Sequence, residues 1–168
     1  MKFALQKELF RRYPALFRKP GSECDTAPID ERGIECGDGW FDLIDRLCRA
    51  CESEIETLNS HSVARNDWPR VAQIKEKFGT LRFYVQGQLS DALRTQILQA
   101  EAEESARTCE SCGALGQLRT GQWIRTYCDP CEAQYLSAGN ALSHSNPGQA
   151  PNDTQLMVLL ASRVERGA

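Results

Sequence analysis

Cys109-Glu110-Ser111-Cys112, then fifteen residues, then Cys128-Asp129-Pro130-Cys131 is the stretch on which the reading of this chain turns. Two CxxC pairs at this separation form a zinc signature. A structural Zn²⁺ takes four ligands in a tetrahedron, and thiolate is a preferred donor. Two cysteines three apart on a tight turn each give a sulfur to the same ion. The residues between the pairs suffice for a short hairpin that brings the second turn alongside the first. Gly113 and Gly116 follow the first pair, where the chain has to reverse. Gln117-Leu118-Arg119 and Gln122-Trp123-Ile124-Arg125-Thr126-Tyr127 read as two short strands, with Thr120-Gly121 as the turn. Pro130 stiffens the second knuckle. Four thiolates close the coordination sphere, so an ion held by Cys109, Cys112, Cys128 and Cys131 is structural, with no open position for water.

The competing readings are two disulfides, four buried thiols, or a redox dithiol. Disulfides need an oxidising compartment, and a thioredoxin-like CxxC needs a βαβ setting that the flanks do not offer. A zinc deaminase needs His-x-Glu, and both histidines, His61 and His144, lie outside the stretch.

Working outward toward the N-terminus, Ser90–Thr108 reads as a long helix with Leu93, Ile97, Leu98 and Ala102 along one seam. Ser90 or Asp91 caps it, and it runs directly into the first knuckle. Residues 70–85 read as a β-hairpin: Leu81, Phe83 and Val85 alternate with Arg82 and Tyr84, and Gly79 makes the turn. A helix over 70–78 is the rival, because Gln73-Ile74-Lys75-Glu76-Lys77 favours one. Trp40, Ile44, Leu47, Cys51, Ile55 and Leu58 step by fours and threes, which predicts the main core helix over 40–58, with Asp38 as its N-cap. Residues 20–32 read as loop, and residues 1–19 as a locally basic helix and its exit, interrupted at Pro14. On the other side of the signature, Glu132–Leu142 reads as a short helix. Ser143–Thr154 reads as a flexible linker, and Leu156–Val164 as a small amphipathic helix.

The fold class expected is therefore α+β, a small body of two long helices with a β-hairpin, followed by a zinc ribbon and a flexible C-terminal tail. The boundaries fall at 1–106, 107–136 and 137–168. A net charge of −3 provides no global basic field for nucleic acid. The first residues lack the apolar run of a signal peptide, and Leu156–Ala161 is too short to span a bilayer, so the expected location is the cytoplasm.

Four cysteines lie elsewhere. Cys48 and Cys51 form a third CxxC, but within the predicted core helix, where i and i+3 share a face. Core packing is the leading reading; a second zinc site completed by Cys36, Cys24 or His61 is the alternative. Cys36 precedes the helix and is a candidate nucleophile with His61, although Asp38 opposes its thiolate. Glu35 and Asp38 are a candidate carboxylate pair, which turn and cap duties explain equally. No phosphate-binding loop, HExxH or dinucleotide fingerprint occurs.

Leu9-Phe10-Arg11-Arg12-Tyr13-Pro14, Gly33-Ile34-Glu35-Cys36-Gly37-Asp38-Gly39-Trp40 with Leu43-Ile44, Ile74 to Val85, and Arg107-Thr108-Cys109 with its three partner cysteines resemble an uncharacterised family of small tailed-phage and prophage proteins. The resemblance covers about residues 1–135 and leaves out the tail. It implies a phage origin, a bacterial cytoplasm and the zinc knuckle, with roles carried over only to the four ribbon cysteines. The function expected is a zinc-binding, non-enzymatic accessory protein that engages a macromolecule, with a host protein or defence complex as the leading partner. The alternative is nucleic-acid binding through Arg107, Arg119 and Arg125, with Trp123 and Tyr127 stacking on bases and the basic segment 1–19 adding phosphate contacts. A Cys36-dependent enzyme is the third reading.

Overall fold

The computed structural model describes residues 1–18, 33–121 and 123–140. Its spine is α2, Phe41–Ser60, entered through a 3₁₀ turn at Asp38–Trp40. The expected stripe faces inward: Trp40, Ile44, Leu47, Cys48 and Cys51 are wholly buried, and Leu43 and Ile55 nearly so. Each such aliphatic side chain contributes about 1.5–3 kcal/mol by leaving water. α1, Phe3–Arg12, adds Leu9, and the turn after it adds Tyr13, Leu16 and Phe17 to the same core. Asp38 does not cap α2. Its carboxylate accepts from the Lys2 N–H at 2.7 Å and pairs with the Lys2 ammonium at 2.9 Å, while Trp40 stands at the N-cap.

The hairpin expected over 70–85 is β1, Arg70–Lys77, paired antiparallel with β2, Thr80–Gln86. Ile74 faces Phe83, and the buried Val71, Ile74, Leu81 and Phe83 line the core side. Phe78 and Gly79 form the two-residue turn, both left-handed at φ 55° and 74°. This is the turn whose twist suits a hairpin. It places a bulky aromatic where glycine or asparagine is usual, at a cost of about 1–2 kcal/mol.

Both edges of this small sheet are closed. Beside β1, the Glu35 N–H donates to Ile74 O and the Glu76 N–H donates to Glu35 O, each at 2.9 Å. Beside β2, the Phe83 N–H donates to Glu101 Oε1 at 2.6 Å and the Leu81 N–H to Ser105 Oγ at 3.0 Å. Those two side chains lie where the expected long helix over 90–108 changes its winding. The α-helical winding of α3 covers only Asp91–Gln99, capped by Ser90 Oγ accepting from Leu93 N. A π-wound turn, Ala100–Glu104, and a 3₁₀ turn, Ser105–Arg107, then carry the chain to the knuckle. The wider turn aims Glu101 and Ser105, both buried, at the strand edge instead of at solvent.

A second sheet pairs β3, Gln117–Arg119, with β4, Arg125–Tyr127, antiparallel. β4 is shorter than the expected strand over 122–127. Trp123 O accepts from the Arg125 guanidinium at 2.7 Å rather than from a ladder N–H. α4, Asp129–Asn140, starts three residues before the expected helix, so Cys131 and Pro130 fall in its first turn, where proline is tolerated. The fold is thus α+β, with four α-helices and two two-stranded sheets among the described residues. The expected loop at 20–32 with Cys24, the linker at 143–154 and the terminal helix at 156–164 lie outside the described residues. Among those described, no helix is long and apolar enough to cross a membrane.

Candidate metal centre

The first knuckle is built by backbone. Thr108 and Leu115 bridge antiparallel, the Cys109 N–H donates to Ala114 O at 2.7 Å, and the Gly113 N–H returns to Cys109 O at 2.8 Å. Gly113 turns the chain at φ 81°. The second knuckle is the entry to α4, where the Glu132 N–H donates to Cys128 O at 2.9 Å. The Glu110 N–H, donating to Thr126 O at 2.9 Å, ties the first knuckle to β4.

The result brings the Sγ atoms of Cys109, Cys112, Cys128 and Cys131 within 4.8 Å of one another. Cys112 Sγ and Cys128 Sγ are 3.6 Å apart. A tetrahedron of bonds of about 2.3 Å places sulfurs about 3.8 Å apart, so the donor set and its spacing fit a four-thiolate metal site. Its electrostatics fit as well. Burial pushes the Cys109 thiol up, but N–H groups of Cys128, Cys112 and Ser111 outweigh it and bring that thiol down to about 7. Cys131, despite the Ser111 hydroxyl, is pushed up to about 12 by burial and its neighbouring thiols. One thiol ionises readily near neutrality; a closely spaced second anion requires a cation.

The other described cysteines, Cys36, Cys48 and Cys51, do not form a metal cluster with other described residues. Among the described residues the ribbon cluster is the sole group of three or more candidate ligands within reach of one ion. Cys48 and Cys51 sit in the core, and burial raises both thiols, Cys51 to about 12. Cys36 is buried as well, and burial pushes its thiol up to about 12. Its suggested base is remote: His61 follows the last turn of α2, Cys36 precedes the first, and a 20-residue helix is about 30 Å long. Glu35 and Asp38 do not converge; Glu35 accepts from Gln73 and Asp38 is held by Lys2.

The cations proposed for phosphate contact are largely engaged. Arg125 is buried, donates to both Glu132 oxygens at 2.9 and 2.6 Å, and lies 3.8 Å over the Tyr135 ring. Arg119 pairs with Asp129 and donates to Tyr127 O at 3.2 Å. Arg107 stays exposed, its side chain donating to Glu103 O. In the N-terminal segment, Arg11 and Arg12 share Glu8, Arg12 also reaches Asp45, and Arg18 binds the carbonyls of Ala15, Arg65, Trp68 and Pro69. Around the ribbon the large apolar side chains face water instead: Leu115 is 83% exposed, Trp123 62%, Leu136 52% and Tyr135 42%.

Sequence reasoning took Gly37–Trp40 for a turn leading into a helix. Its second role is to receive the knuckle. The Gly39 N–H donates to Glu110 O and the Gly37 N–H to Glu110 Oε1, both at 2.8 Å, and Trp40 Nε1–H donates to Thr108 O at 2.8 Å. The two glycines flanking Asp38 were the available signal, since close backbone approach requires them. No model of a known protein family, no curated protein and no solved structure matches this chain.

Proposed function

We propose that Cys109, Cys112, Cys128 and Cys131 hold one structural Zn²⁺, and that the protein is a non-enzymatic, phage-encoded accessory protein of the bacterial cytoplasm that binds a host protein or defence complex. The convergence of four sulfurs within 4.8 Å carries the metal assignment, and the all-thiolate donor set favours zinc. The resemblance to small phage proteins supports the origin.

A protein partner is favoured by the contrast around the ribbon. Arginines 119 and 125 are spent on internal ion pairs, while Leu115, Trp123, Tyr135 and Leu136 stay open to water. Exposed aromatic residues are the usual anchors of protein interfaces. The nucleic-acid reading keeps exposed Trp123 and Arg107; Tyr127 is half-buried, in edge contact with Tyr135. The enzymatic reading through Cys36 is opposed by a thiol pushed up to about 12.

Elemental analysis of the purified protein tests the metal: one zinc per chain is expected, and metal-free protein from zinc-supplied, reduced preparations removes the assignment. Binding of labelled single- and double-stranded oligonucleotides across a salt series tests the partner class. Absence of salt-sensitive binding is expected; affinity falling steeply with salt moves the function to nucleic acid.

A further inference from the structure

We infer that the metal centre and the body fold as one cooperative unit, so that the Gly37–Trp40 turn, which supplies no metal ligand, controls how tightly the metal is held. The inference rests on the four-cysteine metal site proposed above and adds its coupling to the core.

The seat is a backbone-to-backbone fit. A Cβ on Gly39 would lie 2.2 Å from Cys109 O, 2.4 Å from Gly113 N and 2.7 Å from Cys112 N. All three are main-chain atoms of the first knuckle, and main chain cannot swing aside as the end of a side chain can. A Cβ on Gly37 would lie 2.2 Å from Glu110 O. From the knuckle side, a Cβ on Gly113 would come within 3.0 Å of Gly39 O. Gly39 has no left-handed φ, so the requirement for glycine there is contact with the knuckle and not backbone strain.

A second seat lies at the hairpin tip. Thr126 is wholly buried, and its hydroxyl donates to Gly79 O at 2.6 Å. A Cβ on Gly79 would meet Leu118 Cδ1 at 2.5 Å. The ribbon therefore grips the body at the entry to α2 and at the turn between β1 and β2.

Apart from the metal, the two knuckles are joined mainly by a hairpin of three residue pairs, and a two-stranded hairpin of that size is marginal alone. Loss of the ion frees the knuckle from Gly39. Trp40, which is both the N-cap of α2 and a fully buried core residue, then loses the Thr108 carbonyl that holds its indole. Coupling of this kind is reciprocal: if metal binding stabilises the seat, damage to the seat weakens metal binding by the same factor.

The test uses the full chain loaded with zinc. Zinc retention is measured by competition with a chromophoric chelator for wild type and Gly39→Ala, and hydrogen exchange is mapped on wild type before and after chelation. Gly39→Ala is expected to weaken retention by roughly ten-fold or more, within the usual range of coupling. Chelation is expected to deprotect residues 37–47 and 76–83 together with the ribbon. Equal retention in the variant, with exchange changes confined to residues 107–140, overturns the coupling while leaving the metal site standing. Wild type without zinc overturns the metal site, and the coupling with it. If Gly39→Ala does not fold, Trp40→Phe serves, since it deletes the indole N–H and keeps an aromatic ring in the core. Several-fold weaker retention is expected, and unchanged retention counts against the coupling.

Discussion

The chain carries the CxxC spacing three times, and the structure uses it in two opposite ways. In α2, Cys48 and Cys51 lie one turn apart on a regular helix, both turned into the core beside Ile44, Leu47 and Ile55. In the ribbon, Cys109–Cys112 and Cys128–Cys131 each wrap a turn of backbone, and the four sulfurs converge. A helix points i and i+3 side chains the same way but provides no second pair opposite. A knuckle does so because a short hairpin returns the chain. Burial therefore raises the thiols of α2, whereas the N–H groups of the knuckles bring Cys109 down to about 7. Spacing proposes ligands, and the backbone between and around them decides.

The largest effect that can break this contrast is exchange of one cysteine in each setting. Cys128→Ser is expected to lose the metal and with it a binding free energy of about 10–16 kcal/mol, the range for structural zinc sites. Cys48→Ser is expected to keep one zinc per chain and to cost about 1–3 kcal/mol for a hydroxyl buried in the core. Metal content with denaturant melts reads both; zinc lost from Cys48→Ser and kept in Cys128→Ser reverses the assignment.

Thiol reactivity sharpens the same contrast. After chelation, the exposed Cys112 and the half-exposed Cys128 are expected to alkylate ahead of the buried thiols of the body. Cys36, Cys48 and Cys51 should react only in denaturant, because burial holds the thiols of Cys36 and Cys51 at about 12 and that of Cys48 well above its ordinary value. Peptide mapping identifies the modified residues, and early labelling of Cys36 contradicts its core role.

Next in size is Arg125→Ala. It removes a guanidinium enclosed by Glu132, Trp123 O and the Tyr135 ring, and leaves the Glu132 carboxylate, 15% exposed, without that partner. The expected loss is about 3–5 kcal/mol, the range for breaking a buried ion pair. A surface role in binding alone would leave the melt unchanged.

The smallest effect lies in the body. Asp45 accepts from Tyr13 Oη at 2.9 Å and from Arg12 and Arg49 at 2.8 Å each. Burial works to raise its carboxyl, but those hydrogen bonds and charges hold it below the ordinary 3.8. A carboxyl depressed by folding contributes stability that is present above its unfolded pKa and lost as pH falls through the folded value. Asp45→Asn is expected to cost about 1–3 kcal/mol at pH 7 and to flatten the acid limb of the stability curve. An unchanged acid limb contradicts the role given to Asp45.

Much of this was legible in the residues. The α2 stripe, the Gly79 turn and the four-cysteine set follow from periodicity and spacing, because each is a local pattern. The helical run expected over 90–108 is present, but its change of winding after Gln99 was not legible. Nothing local reveals that Glu101 and Ser105 are needed at the edge of β2, and that need accompanies the π-wound turn. Asp38 looked like a cap because caps are chosen by residue type, yet its carboxylate is held by Lys2, thirty-six positions away.

Which residues can ligate, which stripe is apolar and where the chain can turn were determined by the sequence itself, since those properties belong to side chains and their nearest neighbours. That the helical CxxC is buried in the core, that Arg119 and Arg125 serve internal carboxylates, and that two glycines beside Asp38 receive a knuckle seventy residues downstream were decided by tertiary structure alone. Each depends on which distant backbone arrives opposite a residue, and long-range contact of that kind leaves no period in a single chain.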